Sequence, residues 1–285
     1  MRYTRRGRSP HRANLFSRDI RFVLRDAQTI SMSPNAALEN IAALTDLERE
    51  EARQIQLSLL PEGALITGAA EVAYRFEPFA GVGGDFADFF ELPNGHLGIY
   101  IGDVVGKGLS AAMYATLVMG TLRGTHKTGT DTGSVLAMLN KRLLVRPVVG
   151  RYAATVYAVF DPATRELTFS NAGLPYPLLA SGNQCKQLGQ GGLPSGLFGG
   201  SSYECHRVQL APGDAVLFAT DGLTELRDRG DHDFSWDRLA EIWKGSLGKS
   251  AEEALDHLFI EAGRFSSGSH SRQDDITAIV LKIPN

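Results

Sequence analysis

Four aspartates stand beside the ends of apolar strands, in the segments GGDFAD, GDVVGKG, TDGLTE and QDDITAIV. These segments place Asp85, Asp103, Asp221 and Asp274 where they can share one site. A carboxylate at a strand end is held by the sheet but points out of the core. A neighbouring glycine removes bulk, so a backbone carbonyl, a water or a ligand can come close. Carboxylates converging without a histidine or cysteine pattern describe an all-oxygen site, the chemistry preferred by hard divalent cations such as Mg²⁺ and Mn²⁺.

Each motif alone has a plainer explanation. Gly102-Asp103 and Thr220-Asp221-Gly222 follow apolar runs, as ordinary turns do. Asp85 and Asp88 fit the exposed face of a strand, and Asp274-Asp275 fits a solvated strand start. The combination is harder to dismiss, because carboxylates brought together repel and burial raises the cost. Lys107 is the one cation within these motifs, too little charge for four carboxylates. One or two divalent ions would balance them, and a two-metal centre activates water for in-line attack on a phosphoryl group. That points to phosphoester hydrolysis.

The elements that must carry these residues follow from periodicity. Residues 34–60 read as a helix, with Ser33 as cap, Pro34 at the first helical position and Pro61 beyond its end. Its apolar stripe runs through Leu38, Ile41, Leu44, Leu47, Ala52, Ile55 and Leu59. It suits either packing on its own domain or pairing with a second copy. EVAYRFEPF, DFADFFEL and HLGIYIGDV read as strands, the last two joined by a Pro93-Asn94-Gly95 turn that brings Asp85 towards Asp103. Residues 109–126, apolar on most sides, predict a helix buried between layers, and a second helix covers about 131–145. Strands follow near 152–160, 165–171, 176–181, 203–210 and 214–220, helices near 235–245 and 250–265, and a last strand at 275–283. Hairpins and paired helices favour an α+β fold of layered antiparallel sheets over a parallel doubly wound sheet.

Composition narrows the function classes. A 285-residue chain with 43% hydrophobic and 21% charged residues is an ordinary globular protein with ample core. Residues 1–30 hold eight Arg and two Asp, about +6, which leaves about −9 on the remainder of a chain of net charge −3. The reading is a basic, flexible arm over 1–33 joined to an acidic domain, with no clear nucleic-acid binding. No run approaches the ~18–20 apolar residues of a membrane span, and no apolar segment follows the basic start as in a secretory signal. Cys185 and Cys205 lack CxxC spacing and read as buried or idle thiols in a reducing cytoplasm. The Gly189–Gly200 loop lacks GxxxxGK[ST] and reads as a flexible connector.

The segments GVGGDFADFFELPNGHLGIYIGDVVGKGLSAAM, NAGLPYP, GLPSGLF, LFATDGLTE and SRQDDITAIVLK resemble, in order and spacing, those of SpoIIE/RsbU-type serine/threonine phosphatases. These are the bacterial branch of the metal-dependent protein phosphatase superfamily, with a protein phosphatase 2C-like fold. The resemblance runs from about residue 47 to the C-terminus, and EARQIQLSLLP resembles the family's helical linker to an upstream regulatory domain. It implies a layered α-β-β-α sandwich of two antiparallel sheets flanked by helix pairs, with the catalytic domain over 61–285. It implies two divalent ions, Mn²⁺ or Mg²⁺. Asp85 would bridge them, Asp103 with the carbonyl of Val104 would ligate one, and Asp221 with Asp274 the other. Asp88 and Asp275 are less secure, Asp275 fitting a role in fixing loop geometry.

The implied reaction is hydrolysis of phosphoserine or phosphothreonine by activated water, with no cysteine nucleophile. The implied substrate is a phosphorylated STAS-type anti-sigma-factor antagonist. Leu174 stands where the family often has His after NAG, a change that removes no ligand but alters loop packing or substrate fit. Lys107 reads as a solvated lysine within reach of phosphate. The segment before the catalytic domain is short for a sensor domain, so regulation is expected at the 34–60 helix, through homodimerisation or an upstream regulator. Two other functions fit the same residues: a catalytically silent phosphoprotein-binding regulator, and a metal-dependent small-molecule phosphoesterase.

Overall fold

Apolar residues alternate along the strands so that both faces of two sheets are covered. The structure, a computed structural model, describes residues 34–79, 81–93, 95–125, 131–267 and 274–285, with side chains from residue 45 onward. The basic arm expected over 1–33 lies outside the described residues. The chain divides into two units, Met1–Glu51 and Ala52–Asn285. The described part of the first is helical and belongs to α1 (Pro34–Leu59), whose last turns belong to the second.

In the second unit, β1 (Leu65–Ile66), β2 (Glu71–Glu77), β7 (Leu178–Ser181), β8 (Gln184–Gln187), β10 (Ala215–Ala219) and β11 (Ile276–Lys282) form one sheet, in the order β1-β2-β11-β10-β7-β8. The other sheet orders β3 (Phe86–Glu91), β4 (Leu97–Val104), β5 (Ala153–Asp161), β6 (Glu166–Ala172) and β9 (His206–Gln209) as β3-β4-β5-β6-β9. Pairing is antiparallel in both. Val72, Ile99, Ile101, Val156, Phe169, Phe218 and Ile279 meet between the sheets.

The outer faces are covered by helices. α2 (Leu109–Thr125) and α3 (Thr132–Leu143) pack on Phe86, Tyr100 and Tyr157. α5 (Trp236–Lys244) and α6 (Ala251–Ser266) pack on Leu217, Ala219, Ala278 and Val280. The result is the α-β-β-α sandwich expected from the sequence. Local chemistry starts the helices where they start. Asp131 caps α3 by accepting from Ser134 N, and Ser250 with Glu253 forms a capping box on α6.

Four expectations need correction. α2 is not buried between layers. Its inner face, with Ala111, Tyr114, Val118 and Leu122, packs on the sheet, whereas Leu109, Met113 (68% exposed) and Leu117 face outward. Near-uniform apolarity hid which face was covered. Cys205 is exposed, its thiol donating to Asp131 Oδ1. The Gly189–Gly200 loop is tied down: Ser195 pairs with Ala153, and Asn140 accepts from Gly196 N and donates to Phe198 O. Finally, the turn expected at Asp221 is one helical turn, α4 (Asp221–Thr224).

Candidate metal centre

The first pair of carboxylates is positioned by one hairpin. In the β3–β4 register Phe86 faces Gly102, which sets Asp85 and Asp103 at the same end of the ladder. The second pair is positioned by β10 and β11. Ala219 faces Ala278, and Thr220 N donates to Thr277 O at 3.0 Å. Asp221 leaves one strand as Asp274 and Asp275 enter the other. The two pairs meet because both sheets end at the same edge of the sandwich.

Asp85 is 2% exposed. Its Oδ2 accepts from Thr220 Oγ1 at 2.9 Å and Thr277 Oγ1 at 2.6 Å. Burial, then the charges of Asp103 and Asp275, hold its pKa well above the usual carboxylate range. Asp103 is raised to about 7, first by burial and then by Asp221, Asp274 and Asp275. Asp221 is raised by burial and by Asp274. Glu225, one turn beyond Asp221, is raised by burial, Asp221 and Asp274. These side chains share one field, and the added proton affinity is the electrostatic cost of holding them together.

Glycines make the centre possible. A β-carbon on Gly84 would stand 2.6 Å from the Val104 carbonyl oxygen and 2.9 Å from Asp103 Oδ1. Those two oxygens therefore turn over the backbone just before Asp85. A β-carbon on Gly83 would overlap the Asp275 carboxylate, and one on Gly222 the Asp275 carbonyl.

The remaining candidates separate cleanly. Asp275, 5% exposed, accepts from Phe79 N at 2.8 Å and Gly84 N at 2.9 Å. It thus holds the loop that delivers Asp85. Asp274 is more open and pairs with Lys107 at 3.3 Å. Lys107 also lies over the Phe79 ring, 5.4 Å from its centroid. Asp88 belongs to a different cluster, where its Oδ2 accepts from Tyr100 OH and Arg123 Nε, both at 2.9 Å. Arg123 Nη2 in turn donates to Leu59 O at 2.6 Å. Leu174 is buried in the inter-sheet core, and Asn171 holds its turn through both Leu174 N and Leu174 O, each at 2.9 Å.

Several participants were not singled out from the sequence. Thr220 and Thr277 lie inside the TDG and DDIT segments, and their hydroxyl position on a strand beside a ligand candidate was the available signal. Gln56 gave none. Its amide donates to Gly83 O at 2.9 Å and accepts from Gly83 N at 3.1 Å, so the end of α1 grips the GGD loop.

Among the described residues, no three His, Cys, Asp or Glu side chains close on a single point as a ready cage. The donor set still fits hard cations, which take one or two carboxylates each together with carbonyls and waters. Asp85, Asp103, Asp221, Asp274 and the Val104 carbonyl would hold them. Two open clefts of about 610 Å³ lie elsewhere, lined in part by Asp214 with Lys244 and by Gly120 with Arg142.

The raised carboxylates have a measurable consequence. A pKa of about 7 in the folded protein, against 3.8 for the free group, means that the folded state binds the proton more tightly. The associated stability is complete below about pH 4 and is lost as pH rises through about 7. In EDTA the melting temperature should therefore fall by a few degrees across that window. Mn²⁺, which requires deprotonated ligands, should restore it increasingly towards neutral pH. Scanning calorimetry checks this, and a melting temperature that rises with pH in EDTA would contradict it.

Residues 93–284 match the family model described as Stage II sporulation protein E (SpoIIE). The chain is 28% identical over 263 residues to Protein IcfG of Synechocystis sp., covering 82% of this chain and 41% of that protein. It is 26% identical over 242 residues to Phosphoserine phosphatase RsbU of Bacillus subtilis, covering 82% of this chain and 70% of that one. The SiaA-PP2C domain of Pseudomonas aeruginosa superposes with a TM-score of 0.74 at 20% identity, over 87% of this chain and 98% of the domain.

Proposed function

Since the chain belongs to the SpoIIE family, we propose that it is a metal-dependent protein serine/threonine phosphatase acting on a phosphorylated STAS-type regulatory protein. The observation that carries this is the gathering of Asp85, Asp103, Asp221 and Asp274 at one edge of the sandwich, with the Val104 carbonyl turned over Gly84. Bound there, two divalent ions, Mn²⁺ or Mg²⁺, supply a water of lowered pKa and a clamp for the phosphoryl group. The chain's own residues provide the rest. Asp85 is fixed in rotation by two threonine hydroxyls, so its carboxylate would meet a bound ion in one orientation. Asp275 and Gln56 both hold the GGD loop, at Gly84 and Gly83. Lys107, half exposed beside Asp274, stands where the phosphate of an approaching protein would be met.

The substrate class separates this reading from its alternatives. Phosphate release from a phosphoserine STAS protein should exceed release from a nucleotide monophosphate by at least about tenfold in kcat/KM, roughly 1.4 kcal/mol. The reverse order would favour the small-molecule phosphoesterase. Tight binding without release would favour the silent regulator.

No helix among the described residues is long and apolar enough to cross a membrane. The proposed reaction belongs to the cytoplasm, where such regulators work. Regulation is assigned to α1, which exposes Leu47 (57%) and Ile55 (62%). Those side chains suit a homodimer or an upstream regulator, either acting through the grip of Gln56. Deleting residues 1–45 should shift the protein towards monomer in sedimentation and lower its activity severalfold. A full-length monomer whose activity survives that deletion unchanged would remove α1 from the account.

A further inference from the structure

β4 ends at Val104, and after four intervening residues α2 begins at Leu109. This short connection has to aim the Val104 carbonyl, yet it contains Gly106 at φ 102° and Gly108 at φ 70°. Glycines in the left-handed region are entropically soft, so the direction of that carbonyl must be imposed from outside. The segment preceding β5 does so. The Val104 carbonyl and the Val105 N–H belong to one peptide plane, and Val105 N donates to Tyr152 O at 3.1 Å. The next plane is held by Arg151, whose Nη1 donates to Val105 O. Arg151 Nη2 donates to Ser110 Oγ at 2.7 Å, in the first turn of α2. Its own backbone is fixed by Arg151 N donating to Val148 O at 3.0 Å. Gly106 completes the fit, since a β-carbon there would overlap the guanidinium.

We propose that Arg151 is a positioning residue: by bridging Val105 O and Ser110 Oγ it locks the peptide that follows Val105, adjoining the one that carries the Val104 carbonyl, and so sets the affinity of the centre for its divalent ion. The inference rests on the metal reading of the site given above. Arginine suits the task because its planar fork spans two acceptors at once, whereas a lysine ammonium is a point donor on a flexible stem. One terminal nitrogen engages the loop at Val105 and the other the start of α2 at Ser110, so the residue acts through the backbone beside Val104 rather than on the substrate.

Mn²⁺ binding to the full chain, measured by electron paramagnetic resonance without substrate, tests this. Outer partners of metal ligands are worth about 10- to 100-fold in affinity. Arg151→Ala should weaken Mn²⁺ binding by at least about tenfold. At saturating Mn²⁺ its kcat should return to within about threefold of wild type, with the phosphoprotein KM unchanged. Arg151→Lys keeps the charge but loses the bridge, and should recover only part of the affinity. Ser110→Ala removes one of the two contacts and should cost less than Arg151→Ala. Wild-type affinity in a folded Arg151→Ala variant would overturn the proposal, as would a changed substrate KM with unchanged metal affinity. If Arg151→Ala does not fold, Arg151→Lys decides, and full affinity there overturns the bridge. Absence of Mn²⁺ binding in the wild type would instead bring down the metal reading itself, and this inference with it.

Discussion

Asp85→Ala should lower phosphatase activity by more than about a hundredfold at saturating Mn²⁺, while the variant remains folded. The loss should exceed the 10- to 100-fold typical of outer-shell changes, because the proposed ligand itself is removed. The fold survives because the strand pairing beside it does not depend on that carboxylate, although the Thr277 hydroxyl loses its acceptor. Thr220 Oγ1 still accepts from Thr277 N at 3.0 Å and lies 3.4 Å from Thr277 O. Asp85 is also a buried charge crowded by Asp103 and Asp275, so deleting it relieves repulsion. The metal-free variant should melt no lower than wild type near neutral pH. Asp221→Asn should behave alike in activity, since Asp221 stands at the start of α4 and the backbone hydrogen bond its carboxylate accepts from Gly222 can be kept by the asparagine amide oxygen. A near-normal rate in either variant would remove these residues from the centre.

The second large effect concerns stability and separates two adjacent aspartates. Asp275→Ala should destabilise the protein by about 3 kcal/mol or more. It deletes two charge-assisted hydrogen bonds, from Phe79 N and Gly84 N, and leaves the Gly84 donor buried without its acceptor. Asp274→Ala removes a partly exposed pair with Lys107, worth about 0–1 kcal/mol at most, and a part-buried hydrogen bond from Asp275 N. It should leave the melting curve nearly unchanged while reducing activity. Urea unfolding of the two variants checks this. Equal stability loss, or a larger loss from Asp274→Ala, would reverse the roles assigned to them.

What the sequence could reveal depended on distance along the chain. The hairpin linking Asp85 to Asp103 is local, so strand periodicity and one turn were enough to place them together. The helix ending near Leu59, the paired outer helices and the last strand were legible for the same reason. The link from Asp221 to Asp274 needed the β10–β11 pairing, which no local pattern encodes, and motif resemblance supplied it. The contacts that tune the centre were hidden. Thr277 reaches Asp85 across 192 positions, Asp275 reaches Gly84 across 191, and Gln56 finds Gly83 from a helix whose stripe marks only apolar positions. Gln56 and Arg151 are ordinary polar residues in sequence, and only three dimensions show that each holds a backbone segment beside the carboxylates. The short strands β1 and β8 were also missed. Two and four residues are too few to display a period.

The direction of the carboxylate shifts ties these observations to chemistry. Asp85, Asp103, Asp221 and Glu225 are all raised by burial together with neighbouring carboxylate charge. A fold tolerates that arrangement only where a positive partner offsets it. Lys107 serves Asp274, and Arg123 is committed to Asp88 and Leu59. In the proposed reaction divalent cations would meet the remaining demand, and water activated beside them would need no thiol nucleophile.

The central claim is best tested by phosphate release from a phosphoserine STAS-type protein, measured with Mn²⁺, with Mg²⁺ and with EDTA. The account predicts release that requires a divalent ion, stops in EDTA and resumes when the ion is restored. Release that continues undiminished in EDTA, or no release with either ion from a folded protein that binds Mn²⁺, would contradict it.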